Sequence, residues 1–283
     1  VHKILIPAIA LTLFSCGGNS EENKTVSTES KDKKMVDTTS QVEQEEKFES
    51  GLKISFKTFA SEKCFEADPE DEYGEPFCAE RKVKQMLVAL TDAAVAEKIN
   101  ATIFKSITDK PMGSISMKKW VSQIQQLEGI YEAAAEEINC ITDLQNEYLL
   151  CMSVSAYSYS YGAAHGSSGI VNHNFDLKTG KDLQLNDLLK EGYKKELKRL
   201  GEKIFLKTNG SEGWDFRPGK GDFFLPDNFS ITKKGLLFTY GQYEIGPYAV
   251  GSPQVLIRYD QLLKFIPEDS YLTPFVQTDQ VKK

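Results

Sequence analysis

The chain has 283 residues and a formal net charge of −7, with 40% hydrophobic and 27% charged residues. That length allows one or two domains, and that apolar share is enough to build a core. The negative balance argues against nucleic acid, whose phosphates call for basic patches, and it suits a cationic partner.

The first residues differ from the rest. His2 and Lys3 lead into an apolar run from Ile4 to Phe14. A bilayer-spanning helix needs about 20 apolar residues, so this run is too short to span. It fits the apolar core of a secretory signal peptide, commonly about 7–15 residues. Ser15-Cys16-Gly17-Gly18 then resembles the lipobox of bacterial lipoproteins. There the chain is cut before the cysteine, whose thiol takes a diacylglyceryl group with chains such as palmitate. Residues 1–15 are therefore read as a signal peptide and Cys16 as the lipidation site. The expected anchor is an acyl chain in a lipid membrane. Residues 17–47 hold no aromatic residue, leucine or isoleucine. Such a stretch cannot bury enough apolar surface to offset its conformational entropy, so 16–48 is read as a lipidated tether.

Structure is expected from Leu52 to Phe59, where apolar and polar residues alternate as in a half-buried strand. Cys64 and Cys78 bound a loop with acids at Glu66, Asp68, Glu70, Asp71, Glu72 and Glu75 and no basic residue. It lacks the spacing of a calcium loop and reads as a solvated acidic loop. Lys82 to Leu90 is a second strand. Thr91 or Asp92 caps a following helix with Val95, Ile99, Ile103 and Phe104 on one face. A longer helix is expected from about Ser116 to Asn139, with Trp120, Ile124, Leu127 and Tyr131 at helical spacing. Glu147 to Tyr161 alternates as a long strand, and Ile170 to Leu177 is another, with His173 toward the surface or an edge. A helix runs from Leu185 through Tyr193 to Ile204, and Gly210 to Pro226 is a glycine- and aromatic-rich loop. Asn228 to Thr232 and Leu236 to Tyr240 form a hairpin, with Gly235 supplying a positive φ. Val255 to Tyr259 is the last strand. The order implies an α+β fold of antiparallel sheets packed with helices, divided at 49–176 and 177–275.

Beyond Cys16, four cysteines remain: Cys64, Cys78, Cys140 and Cys151. An even number in an exported chain suggests disulfides. Three connectivities are open, and the local pairs Cys64–Cys78 and Cys140–Cys151 are the simplest. Zinc sites favour closer spacing and more histidines, so no metal is expected.

The C-terminal half carries Tyr161-Gly162-Ala163-Ala164-His165-Gly166, Asn174-Phe175-Asp176-Leu177-Lys178-Thr179-Gly180-Lys181, Leu225-Pro226-Asp227-Asn228-Phe229-Ser230-Ile231 and Tyr243-Glu244-Ile245-Gly246-Pro247-Tyr248. In order and spacing these blocks resemble the extracellular domain family of unknown function found in anti-sigma-V factors and in many bacterial envelope proteins. The resemblance covers about residues 145–266. It implies a two-part α+β ectodomain, which in anti-sigma-V factors binds and senses lysozyme. No sigma-binding or transmembrane segment is read in this sequence, so the expectation is a binding module, not a signal relay.

Candidate binding residues are His165, Trp214, Phe216, Tyr243, Glu244 and Tyr248. Tyrosine and tryptophan supply large contact area at low entropy cost. Glu244 suits a cationic group or sugar hydroxyls, or else the amides of its own turn. His165 lies near Ser167, yet no nucleophile elbow surrounds that serine and no carboxylate stands as orienter, so no catalytic residue and no cofactor is assigned. The expected function is a non-catalytic ectodomain of a cell-envelope lipoprotein, periplasmic or at the cell surface. Lysozyme is the leading partner and peptidoglycan or another glycan the alternative; a hydrolase is a third reading.

Overall fold

A computed structural model describes residues 36–41, 49–65, 76–124, 133–160, 163–209 and 223–280. Cys16, the acidic residues between Cys64 and Cys78, Trp214 and Phe216 lie outside the described residues. The first strand, β1 (Val36–Gln41), pairs antiparallel with β2 (Lys53–Phe65), which pairs antiparallel with β3 (Phe77–Ala89). Part of the expected tether is thus an edge strand. The outer edge of β2 offers unpaired amides and carbonyls, and that template orders a segment whose own composition does not demand structure.

Asp92 caps α1 (Ala93–Thr108), its side chain accepting from the Ala94 and Val95 amides at 2.9 and 3.2 Å. Capping of this kind is worth about 1 kcal/mol. The buried stripe Val95, Ile99, Ile103 and Ile107 faces the sheet. Asn100 fixes its height: its side chain bonds both the amide and the carbonyl of Val88, at 2.9 and 2.8 Å. A short helix, α2 (Met117–Ser122), follows, and then β4 (Ala133–Gln145). The helix expected over 116–139 therefore ends at Ser122, and its last third is a strand. Ala133 to Asn139 has good helix propensity, but β4 pairs on both sides, parallel to β3 and antiparallel to β5 (Leu149–Ser160). Two ladders outweigh a few tenths of a kcal/mol per residue of propensity. Among the described strands of this sheet the β3–β4 pair is the one parallel pair, joined through α1 and α2; the others are antiparallel.

β5 pairs with β6 (Ser167–Asp176) to complete a six-stranded sheet in the order β1-β2-β3-β4-β5-β6. Next come α3 (Leu185–Leu188) and α4 (Tyr193–Asn209). The single helix expected from Leu185 to Ile204 is broken between them, where Gly192 takes φ +84° and the Lys190 amide donates to the Phe265 carbonyl at 2.7 Å. β7 (Phe229–Ile231), β8 (Gly235–Thr239) and β9 (Gln254–Arg258) form a three-stranded antiparallel sheet, and α5 (Thr273–Gln280) ends the described chain. Gly235 serves close approach rather than positive φ: a Cβ there would stand 2.2 Å from the Ile257 carbonyl oxygen.

The fold is α+β, and the described residues form two large cores beside a small cluster of Phe65, Ala79 and Ile124. One large core lies under α1 and contains Phe56, Val83, Met86, Ile103, Ile138, Met152 and Phe175. The other gathers Leu197 and Phe205 of α4 with Phe229, Phe238, Val255 and Tyr259 around the small sheet. β5 serves both: Leu150, Met152 and Val154 face the first core, Leu149 and Cys151 the second. Two-sided burial explains why Leu149 to Met152 is continuously apolar where a half-exposed strand would alternate.

This arrangement decides the cysteines. Cys64 and Cys78 are directly opposite in the β2–β3 ladder and are disulfide-bonded. Cys140 and Cys151 are free and buried, against the expected local pairing. Cys140 pairs with Val154 and Cys151 with Leu144, so the two are offset along the ladder and point into different cores. No disulfide reaches through a sheet.

The outer edge of β6 is closed by side chains. The amides of Ser168, Asn172 and Asn174 donate to Gln242 Oε1 (2.7 Å), Asn228 Oδ1 (2.8 Å) and Asp182 Oδ1 (2.9 Å). The Asp176 amide donates to the Lys181 carbonyl at 2.9 Å. Alternate residues of an edge strand point their amides outward, and here four of them meet an acceptor from the later part of the chain.

Candidate functional site

Two loops meet at the end of β6. One is the stretch 163–166 between β5 and β6; the other is the turn that follows β8. His165 stacks on Tyr248, with centroids 3.7 Å apart and planes 19° from parallel. Tyr243 lies 5.8 Å from Tyr248, and its hydroxyl is 3.3 Å from His165 Nε2. His165 Nδ1 stands 3.1 Å from the Gly166 carbonyl. A carbonyl only accepts, so the neutral ring carries its proton on Nδ1, and Nε2 accepts from Tyr243. Gly166 lets the loop press on Tyr157 of β5: a Cβ there would fall 2.3 Å from the Tyr157 hydroxyl. Tyr157 and Tyr243 are 45% and 58% exposed, so both rings keep contact area open to a partner.

Tyr243 is held at φ +61°, in the left-handed region that favours glycine. A non-glycine residue there costs about 1 kcal/mol or more, and such residues cluster at functional sites. The turn tolerates it because Glu244 closes it from inside. Glu244 Oε2 accepts from the Gly241 amide at 2.6 Å, and the Glu244 amide donates to the Gly241 carbonyl at 3.2 Å. Burial pushes the Glu244 carboxyl above the ordinary range; the Gly241 amide opposes this in part, and Asp227 adds to it. Gln242 ties the turn to β6 through the Ser168 amide and, at 3.4 Å, the Ser167 hydroxyl.

Of the residues singled out from sequence, His165, Tyr243 and Tyr248 come together as one patch. Glu244 belongs to its support. Ser167 bonds Gln242 rather than His165, so the two do not form a nucleophile–base pair. The neighbouring aromatics anchor the chain that leads to the small sheet: Phe223 is buried near Phe205, and the Phe224 carbonyl accepts from the Tyr240 hydroxyl at 2.5 Å.

A second constellation has no sequence signal. His173, expected at the surface or an edge, is only 7% exposed. Its Nδ1 lies 2.7 Å from Asp182 Oδ2 and its Nε2 3.0 Å from Ser106 Oγ. The order serine–histidine–carboxylate is that of an activated nucleophile. Ser106, however, sits inside α1, where the surrounding amides are bonded along the helix, so no backbone donors are aimed at an oxyanion beside it. The arrangement ties α1 to β6 and to the return of the chain at Asp182. Ser106 and His173 are 67 residues apart, and no local spacing links them.

A cleft of about 640 Å³ lies between Tyr193 and Leu197 of α4 and the segment from Phe223 to Asp227, with Lys194 and Lys198 in its lining. The aromatic patch is not part of it.

Residues 186–260 match the model of a family described as a protein of unknown function (DUF3298). The chain is similar to the crystal structure of a DUF3298 family member from Bacteroides fragilis. The TM-score is 0.61 at 16% identity, over 89% of this chain and 98% of that one. It is also similar to a DUF3298 family protein from Pseudomonas aeruginosa, with a TM-score of 0.51 at 17% identity, over 75% and 94%. No curated protein matches the chain. The chain thus carries a DUF3298 domain at 186–260 in a fold that solved members share.

Proposed function

We propose that this protein is a non-catalytic binding module of the bacterial cell envelope, held to a membrane through a lipidated Cys16. The patch of His165, Tyr243, Tyr248 and Tyr157 is its contact surface. The observation that carries the reading is Tyr243: an exposed ring held in an unfavourable backbone conformation by a half-buried carboxylate. Preorganised tyrosines on rigid turns give contact area at little entropic cost. The apolar run ending at Cys16 and the resemblance to anti-sigma-V ectodomains support the location. Lysozyme is the leading partner, because the chain's net charge of −7 attracts a cationic protein.

A glycan is the second reading, favoured by the stacked His165 and Tyr248 rings, which offer a sugar ring an aromatic face. Calorimetry of the purified chain against lysozymes of different types, with co-sedimentation on cell-wall sacculi in parallel, separates the two. Salt-sensitive binding to a lysozyme, weakened about tenfold or more by Tyr243→Ala, supports the first. Retention on sacculi alone supports the second. Silence in both rejects the patch as a site for either.

A further inference from the structure

The end of the β2–β3 ribbon at Cys64 and Cys78 carries a cluster of its own, independent of the proposed function. Cys64 and Cys78 are cross-strand neighbours, and two residues further into the ladder Glu62 faces Glu80. Alternate residues of a strand share a face, so all four side chains stand on one face of the ribbon. The donor atoms of Glu62, Cys64 and Cys78 lie within 4.8 Å of one another. Cys78 and Glu80 are exposed, and Glu62 and Cys64 are half-buried.

We propose that this cluster is a redox-gated site for a divalent thiophilic cation such as Zn²⁺, closed while Cys64 and Cys78 are joined and opened when they are reduced. The chemistry of the donor set supports it. Two thiolates and a carboxylate are ligands that zinc accepts, with a fourth position open to water. The ladder holds the two sulfurs opposite each other whether or not they are bonded, because the β2–β3 pairing runs from Lys53–Ala89 to Phe65–Phe77 without them. An unfolded peptide would have to order these ligands on binding; here the sheet has already done so.

The gating step is thiol–disulfide exchange with a dithiol. One thiolate of the dithiol attacks the exposed Cys78 sulfur. The S–S bond breaks, and its electron pair leaves on Cys64 as a thiolate. The second thiol of the dithiol then displaces the mixed disulfide and releases Cys78. The dithiol is oxidised to a disulfide as the protein gains two electrons and two protons. Metal binding then expels the thiol protons. Exposed disulfides are the ones open to such exchange.

The test uses the full chain, oxidised or reduced with a phosphine, titrated with Zn²⁺ against a chromophoric chelator. Alkylation followed by peptide mapping locates the protected sulfurs. The reduced chain should bind one zinc and the oxidised chain none. Zinc should protect Cys64 and Cys78 from alkylation, a readout that the buried Cys140 and Cys151 do not share. Glu62→Gln, which leaves both sulfurs in place, should weaken binding about 10- to 100-fold. Zinc uptake no greater in the reduced than in the oxidised chain overturns the proposal. So does protection of sulfurs other than Cys64 and Cys78, or unchanged affinity in Glu62→Gln.

Discussion

Asn228 and Asn172 meet at the seam between the two sheets. Asn228 Oδ1 accepts from both the amide and the side-chain Nδ2 of Asn172, at 2.8 and 3.0 Å. Its own Nδ2 donates to the carbonyls of Ile170 on one sheet and Thr239 on the other, at 2.9 and 3.1 Å. One side chain thus satisfies backbone groups from both strands. Asn228→Ala leaves several half-buried partners without a bond and should destabilise the fold by about 3 kcal/mol, measured as a lower denaturant midpoint. Asn228→Asp keeps the acceptor but sets a carboxylate oxygen against the Ile170 and Thr239 carbonyls, so it should destabilise the fold as well.

The left-handed backbone at Tyr243 separates stability from binding. Tyr243→Gly and Tyr243→Ala both remove the ring and should weaken partner binding alike. Glycine takes φ +61° without penalty and alanine does not. The glycine variant should therefore be more stable than the alanine variant by about 1 kcal/mol, read by thermal or denaturant unfolding. Equal stability would mean that the turn relaxes once the ring is gone.

Glu244 makes the same turn sensitive to pH. Burial raises its carboxyl above the ordinary value of 4.5. The folded state then binds its proton more tightly than the unfolded chain does. This contribution is present in full at low pH and is lost as pH rises from about 4.5 through the raised value. Glu244→Gln retains an amide oxygen for the Gly241 amide and removes the titration. Its stability, compared with wild type from pH 4 to pH 8, should show a flatter dependence, with the variant equal or more stable at neutral pH.

The two buried thiols give a chemical check on the sheet. Burial pushes the Cys140 thiol up to about 11, and burial with the nearby Asp143 and Asp182 raises Cys151 as well. At neutral pH both are protonated and covered, and the thiolate is the reactive form. Iodoacetamide should label neither in the native chain and both in denaturant, with peptide mapping as the readout. A peptide pair linked through Cys140 and Cys151 would contradict the register of β4 and β5.

Much of the fold was legible wherever a local pattern agreed with its surroundings. The Asp92 cap, the stripe of α1, the alternation of β2 and the β7–β8 hairpin each follow from residues a few positions apart. The candidate patch was half legible. His165, Tyr243 and Tyr248 stand out as aromatic or titratable residues in glycine-bearing loops. The bent, glycine-bearing turn also pointed to Glu244 bonding its own amides, as it does at Gly241, but nothing local says that the two loops meet.

The sequence by itself determined the α+β class, the short apolar run before Cys16 and the acidic balance; which of the cysteines pair was left to the β2–β3 register. The first three depend on composition and periodicity. Tertiary structure alone decided that Ala133 to Asn139 is a strand, that Cys140 and Cys151 face different cores, and that His173 is buried between Ser106 and Asp182. Each of these follows from pairing between segments far apart in the chain. Two backbone ladders and a buried face outweigh a local preference of a few tenths of a kcal/mol per residue.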